Sequence, residues 1–92
     1  MQIKYSNKIK ETISPELINE LFMLTYTCIP YAKEHYFTFD IGNEFYINHI
    51  VPETNYFSKI YLSRFAPILI PTEPIVVFAY SDCLYMIFQS EL

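Results

Sequence analysis

Ile75-Val-Val-Phe-Ala-Tyr-Ser-Asp-Cys-Leu-Tyr-Met-Ile-Phe88, close to the end of the 92-residue sequence, sets the terms on which this chain folds. Two short apolar runs flank the polar pair Ser81 and Asp82, the pattern of a β-hairpin closed by a tight turn. Neither arm alternates in polarity. Ile75, Val77 and Ala79 point to one face and Val76, Phe78 and Tyr80 to the other, and both sets are apolar. A strand of that kind asks for cover on both faces. The rest of the sequence is read for where those covers come from.

One cover is a helix. Ser14-Pro15-Glu16 supplies an N-cap, a proline at the first helical position and an acid in the first turn. Beyond it Leu17, Leu21, Leu24 and Cys28 recur at helical spacing, and Ile18, Phe22 and Ile29 widen the stripe. Asn19, Glu20 and Thr27 fall on the remaining arc, and Pro30 stops the helix near Cys28 or Ile29. A second candidate cover is Arg64 to Pro74, where Pro67, Pro71 and Pro74 forbid a helix or a central strand and leave an extended apolar connector. Its Ile68, Leu69 and Ile70 belong either against the sheet or in an interface.

Between these lie further strands. Phe37, Phe39 and Ile41 alternate with Tyr36, Thr38 and Asp40. Gly42-Asn43 follows, and a glycine at the first central position of a two-residue loop fits a type II′ turn. The return arm runs from Glu44 to Val51 with Phe45, Ile47, His49 and Val51 on one side, and Pro52 ends it. Tyr56 to Leu62 reads as another strand, with the head of Lys59 in water. Ile3 and Tyr5 alternating with Gln2 and Lys4 permit an edge strand guarded by lysine. The expected fold is α+β, a single domain over residues 1–92, with one N-terminal amphipathic helix packed on an antiparallel sheet of four to five strands.

Composition narrows the class of function. The chain is 52% hydrophobic and 17% charged, which excludes disorder. No apolar run approaches the roughly 18 residues of a membrane span. Met1 to Lys8 lacks the apolar core of a signal peptide, so a cytoplasmic location is expected. Cys28 and Cys83 then read as reduced thiols serving as small hydrophobes. The net charge of −4 is unevenly placed: Lys4, Lys8 and Lys10 occupy the first ten residues without an acid, and ten acids face Lys33, Lys59 and Arg64 thereafter. An acidic body argues against direct binding of nucleic acid, whose phosphates demand cations. It serves ordinary solubility, or else suits a basic protein surface, such as the nucleic-acid channel of another protein.

No reactive constellation stands out. With Gly42 the sole glycine there is no phosphate-cradling loop. His35 and His49, fourteen apart, have no zinc spacing with Cys28 or Cys83. No catalytic residue, cofactor or metal is expected. The tyrosines are the remaining candidates, because tyrosine joins a large apolar area to a polar tip and is enriched at interfaces. Tyr36, Tyr46 and Tyr61 fall on the strand face opposite the one that meets the helix, and Asp40 and Glu44 flank the hairpin turn beside them. These five are the expected partner-binding residues.

Three stretches taken together resemble a known family: Pro15-Glu-Leu leading through Cys28-Ile29, then Val51-Pro-Glu53, then Val77-Phe78 through Met86-Ile-Phe-Gln-Ser-Glu91. Their order and spacing are similar to the small family catalogued as domain of unknown function 960, found in low-GC Gram-positive bacteria and on their mobile elements. The chain departs from that pattern at Ala79-Tyr-Ser-Asp82, where the family has an acidic, glycine-containing turn, and it lacks the family's helix tryptophan. The resemblance implies no catalytic residue. It implies a bacterial or phage setting, in which tiny acidic proteins often bind and block a host protein, anti-CRISPR proteins being one example. Three functions are therefore weighed. The first is a non-catalytic module that inhibits a host nucleic-acid-handling enzyme such as a CRISPR nuclease. The second is a structural homodimer with sheets packed face to face. The third is an enzyme or small-ligand binder using His49 with Asp40 and Glu44.

Overall fold

The computed structural model describes residues 2–28, 32–42, 44–61 and 71–92. Its centre is the terminal hairpin: β5 (Ile75–Ala79) and β6 (Cys83–Phe88) pair antiparallel from Ile75↔Phe88 to Ala79↔Leu84. The Tyr80 N–H donates to the Cys83 carbonyl at 2.8 Å and closes the turn over Ser81 and Asp82. Neither arm is an edge. β6 takes β1 (Gln2–Tyr5) on its outer side, and β5 takes β2 (Glu34–Ile41). With β3 (Phe45–Val51) and β4 (Tyr56–Tyr61) the order is β1-β6-β5-β2-β3-β4. Val76 and Val77, which face opposite ways, are both wholly buried, as the two-sided apolar pattern demands.

The fold is α+β, but it is larger than the expected sheet of four to five antiparallel strands with one helix. Among the described residues the sheet has six strands and is mixed, because β1 runs parallel to β6 with Ile3 opposite Leu84 and Tyr5 opposite Met86. A short helix, α1 (Asn7–Thr12), precedes the expected one. Ser6 caps it by accepting from the Ile9 N–H at 3.2 Å, and Ile9 is wholly buried. The parallel pairing needs a crossover, and nearly the whole chain serves as one.

The principal helix, α2 (Pro15–Cys28), begins where its start signal lies. Ser14 Oγ accepts from the Leu17 N–H at 3.3 Å, and Leu17, Ile18, Leu21 and Phe22 are buried. Thr25 also lies on the buried stripe, its hydroxyl donating to the Leu21 carbonyl at 3.0 Å. The helix side of the sheet contributes Phe37, Ile47, Ile75, Val77, Leu84, Met86 and Phe88 to the same core, with Ile9 and Ile13 beneath them.

The β2–β3 hairpin corrects the expected turn. Ile41 opposes Phe45, so three residues link the arms, Glu44 belongs to the loop, and Gly42 does not take a positive φ. A two-residue loop would set Ile41 against Glu44 and send Phe45, Ile47 and Val51 to the face away from Phe37. Burying both apolar sets on one face requires the longer loop, so hydrophobic pattern overrides local turn preference. Beyond β3, Pro52–Thr54 forms one 3-10 turn, and Asn55 ends it in the left-handed region at φ 54°. Glu53 Oε1 accepts from the Lys33 and Glu34 N–H groups at 2.7 and 3.1 Å, tying this turn to the start of β2.

The chain's ends meet. Ser6 Oγ donates to Glu91 at 2.7 Å, and Lys8 Nζ reaches Glu73 at 3.1 Å and Ser90 at 3.0 Å while lying 4.8 Å from the centre of the Phe88 ring. The expected connector enters the description only at Pro71, which is buried, and residues 71–74 run beside Thr38 and Phe39. Its Ile68, Leu69 and Ile70 lie outside the described residues, as do Ile29, Pro30, Leu62 and Arg64. Cys83 is a free, half-buried thiol. No helix among the described residues is long and apolar enough to cross a membrane.

Candidate interaction surface

Strand register arranges the face of β2, β3 and β4 that no helix among the described residues covers, the helix-free face, into three rows. Tyr36, Ile50 and Phe57 form the first, Thr38, Asn48 and Lys59 the second, and Asp40, Tyr46 and Tyr61 the third. Directly opposed side chains on one face of a sheet are in contact range, so each row is a physical unit. The first row continues through Val76 and Ile87, making an apolar ridge across five strands. Exposure rises along that ridge. Val76 and Ile87 are buried, Tyr36 and Ile50 half-buried, and Phe57 is 62% exposed. The centre of the terminal hairpin is therefore covered within the chain, and the open aromatic area of this face lies at Phe57 and Tyr61 on β4 and at Tyr80 beyond β5.

The polar groups of the face are ordered. Lys59 Nζ bonds the Asp40 carboxylate at 2.9 Å and lies 4.8 Å from the centre of the Tyr46 ring, which itself stands 5.5 Å from the ring of Tyr61. The Lys59 ammonium, then the Asn48 amide, holds the Asp40 carboxyl below its ordinary range. Asn48 also donates to Thr38 at 3.1 Å. The Tyr46 hydroxyl donates to Glu44 at 2.6 Å, and that bond raises its pKa. The Tyr36 hydroxyl reaches Glu34 at 3.2 Å, and burial followed by the Glu34 charge raises its pKa too. A surface pair of this kind contributes little free energy, but it fixes where the aromatic rings stand.

Of the five expected residues, the structure gathers Asp40, Tyr46 and Tyr61 into one row, with Glu44 joined to it through Tyr46. Tyr36 shares their face but sits four residues from Asp40 along β2, roughly 13 Å away at strand rise. Phe57 is the most exposed aromatic of the face and was missed, because Tyr56-Phe57 places two aromatics in succession and only the register shows which one points outward.

The structure does not bring His49 together with Asp40. His49 opposes Phe37 on the helix side, while Asp40 lies on the other face, so no pocket joins them. What His49 does meet is His35: Nδ1 of His35 and Nε2 of His49 are 2.8 Å apart, and both residues are wholly buried. Phe37 stacks on His49 with centroids 4.6 Å apart, and Tyr56 meets its ring edge-on at 5.3 Å. His49 Nδ1 is buried with no hydrogen-bond partner among the described residues. Burial, then the neighbouring His35, pushes the His49 pKa down to about 4. The pair was legible only as a diagonal across the β2–β3 register. Among the described residues no three His, Cys, Asp or Glu side chains gather to hold a metal ion.

No family model matches the chain, and no curated protein matches it. The fold is similar to a crystal structure of a protein of unknown function from Enterococcus faecalis, with a TM-score of 0.82 over 99% of this chain and 90% of that one. The two sequences are 14% identical, so the likeness speaks for the fold alone.

Proposed function

We propose that this chain is a non-catalytic protein-binding module whose contact surface is the helix-free face of β2, β3 and β4. The observation that carries this reading is the exposure of Phe57 and Tyr61, 62% and 51%, beside an ordered Asp40–Lys59–Tyr46 cluster. Tyr61, whose ring stands against that of the ordered Tyr46, and Phe57, which adds open apolar area, are suited to serve as anchors. The rim supplies acceptors at Asp40 and Glu44, suited to a basic partner.

In its finer form the partner is a nucleic-acid-handling enzyme of a host, a CRISPR nuclease being one case, and the protein occupies the enzyme's cationic channel. Support comes from the net charge of −4 and from the resemblance to a family of mobile elements. Mixing the purified protein with a panel of such nucleases tests it. Co-elution with one of them, with loss of cleavage that Phe57→Ala and Tyr61→Ala relieve, is the expected result. Unimpaired cleavage without co-elution across the panel refutes the finer form. A homodimer packed through the same two aromatics is the rival occupant, and a solution mass of one chain at micromolar concentration removes it.

A further inference from the structure

The open edge of β1 and the flank of α2 together make a second surface, independent of the helix-free face. Every residue of β1 is exposed, and among the described residues no strand lies beyond it. The Gln2 N–H donates to the Asp82 carbonyl at 2.8 Å and the Ser6 N–H to the Met86 carbonyl at 3.1 Å. Backbone polar groups alternate sides along a strand, so Gln2, Lys4 and Ser6 turn theirs toward β6. Ile3 and Tyr5 turn theirs outward, presenting two donors and two acceptors in register for another strand. The side chains of Ile3 and Tyr5 lie on the α2 side of the sheet, opposite Leu84 and Met86. There a groove of about 500 Å³ runs between β1 and α2, lined by Ile3, Phe22, Met23, Tyr26 and Leu84 together with the polar Asn19 and Thr27. Ile3, Met23 and Tyr26 are 54%, 61% and 57% exposed, so this apolar lining is open to solvent.

We infer that this edge takes an extended segment of another protein by strand addition, one that alternates apolar residues with acidic ones. Main-chain bonds to Ile3 and Tyr5 supply affinity, and alternate side chains entering the groove supply selectivity. The remaining side chains of the added strand fall on the face of Gln2 and Lys4, both of which are exposed. Acidic residues opposite Lys4 complete the match.

Charge also argues against a second copy of this chain. Antiparallel pairing of β1 with its own copy uses the outward groups of Ile3 and Tyr5 in full only when Ile3 opposes Tyr5 of the partner. That register sets Lys4 directly against the partner's Lys4, in a closely spaced like-charge pair. Lysine on an edge strand is a known guard against such self-pairing.

A displayed library of random ten-residue peptides, selected on the full chain, tests the inference. The enriched peptides are expected to alternate Val, Ile or Phe with Asp or Glu, and to shift the amide resonances of Ile3 and Tyr5 together with the Met23 methyl. Ile3→Pro removes an outward donor without touching the β6 ladder, and Met23→Glu places an acid in the groove. Each is expected to weaken binding about tenfold or more, the loss of one bond or one apolar contact. Thr54→Ala, an exposed position in the turn between β3 and β4 at the opposite edge of the sheet, is expected to leave it unchanged. An unchanged melting temperature for Met23→Glu separates lost binding from lost folding. No enrichment, enriched peptides indifferent to both variants, or a dimer abolished by Ile3→Pro would each overturn the inference.

Discussion

Acidification is expected to destabilise this protein through a single buried pair. His49 is wholly buried against Phe37, Tyr56 and His35, and its pKa is pushed down from 6.5 to about 4. An unfolded chain takes up that proton near pH 6.5, whereas the folded chain refuses it until about pH 4. Stability contributed by the neutral ring is thus fully present above pH 6.5 and is lost as pH falls toward 4. At 1.36 kcal/mol per pKa unit the loss amounts to about 2.5 kcal/mol by pH 4.5 and about 3 kcal/mol at the limit. A double imidazolium cannot relieve it, because two protons would then face each other across 2.8 Å. Urea denaturation between pH 7.5 and 4.5 measures the loss. The double variant His35→Leu/His49→Leu, close in volume and free of imidazole, isolates it as the difference from wild type. Asp40 and Glu73 have lowered pKa values, so their contribution is present above the ordinary carboxylate range and is lost as pH falls through and below it, and they remain in the variant. Identical pH dependence of wild type and variant, or a native His49 ring resonance titrating near pH 6.5, refutes the reasoning.

Further expectations follow from packing and register. Ile9→Ala should cost about 3 kcal/mol in chemical denaturation, because α1 plugs the core with a wholly buried side chain; a loss under 1 kcal/mol would mean that α1 does not pack. Gly42→Ala should change stability by less than about 0.5 kcal/mol, since nothing lies within 4 Å of the added methyl and φ is not positive. A penalty well above 1 kcal/mol would restore the two-residue type II′ turn. Ser6→Ala should cost about 1 kcal/mol, as Ser6 caps α1 and holds Glu91. Lys59→Ala should shift stability by less than about 1 kcal/mol, its ion pair being about half exposed.

The elements legible in the sequence were those with local causes. Ser14-Pro15-Glu16 announces α2, and the two apolar arms around Ser81 and Asp82 announce a hairpin buried on both sides. The shared face of Tyr36, Tyr46 and Tyr61 followed from alternation, which survives an error in loop length as long as the apolar sets are buried together. What was missed depends on distance along the chain. β1 is four residues long and acquires its partner from the last strand, so its sequence holds no trace of a parallel pairing. α1 buries one residue, Ile9, too few to make a helical period. The His35–His49 contact is diagonal across a register that the favoured Gly42-Asn43 turn misplaced by one residue. Val76 and Ile87 are buried on the second face of the terminal hairpin, and the apolar part of the connector expected to cover it, Ile68 to Ile70, lies outside the described residues.

Contact through the helix-free face of β2, β3 and β4 is tested most directly by a photo-crosslinking benzophenone residue placed at Phe57 in cells that express the protein. The same residue at Glu11, an exposed position of α1, serves as control. A discrete adduct with one other protein at Phe57, absent at Glu11 and lost on Tyr61→Ala, is the predicted result. Adducts no stronger at Phe57 than at Glu11 would contradict a binding role for this face.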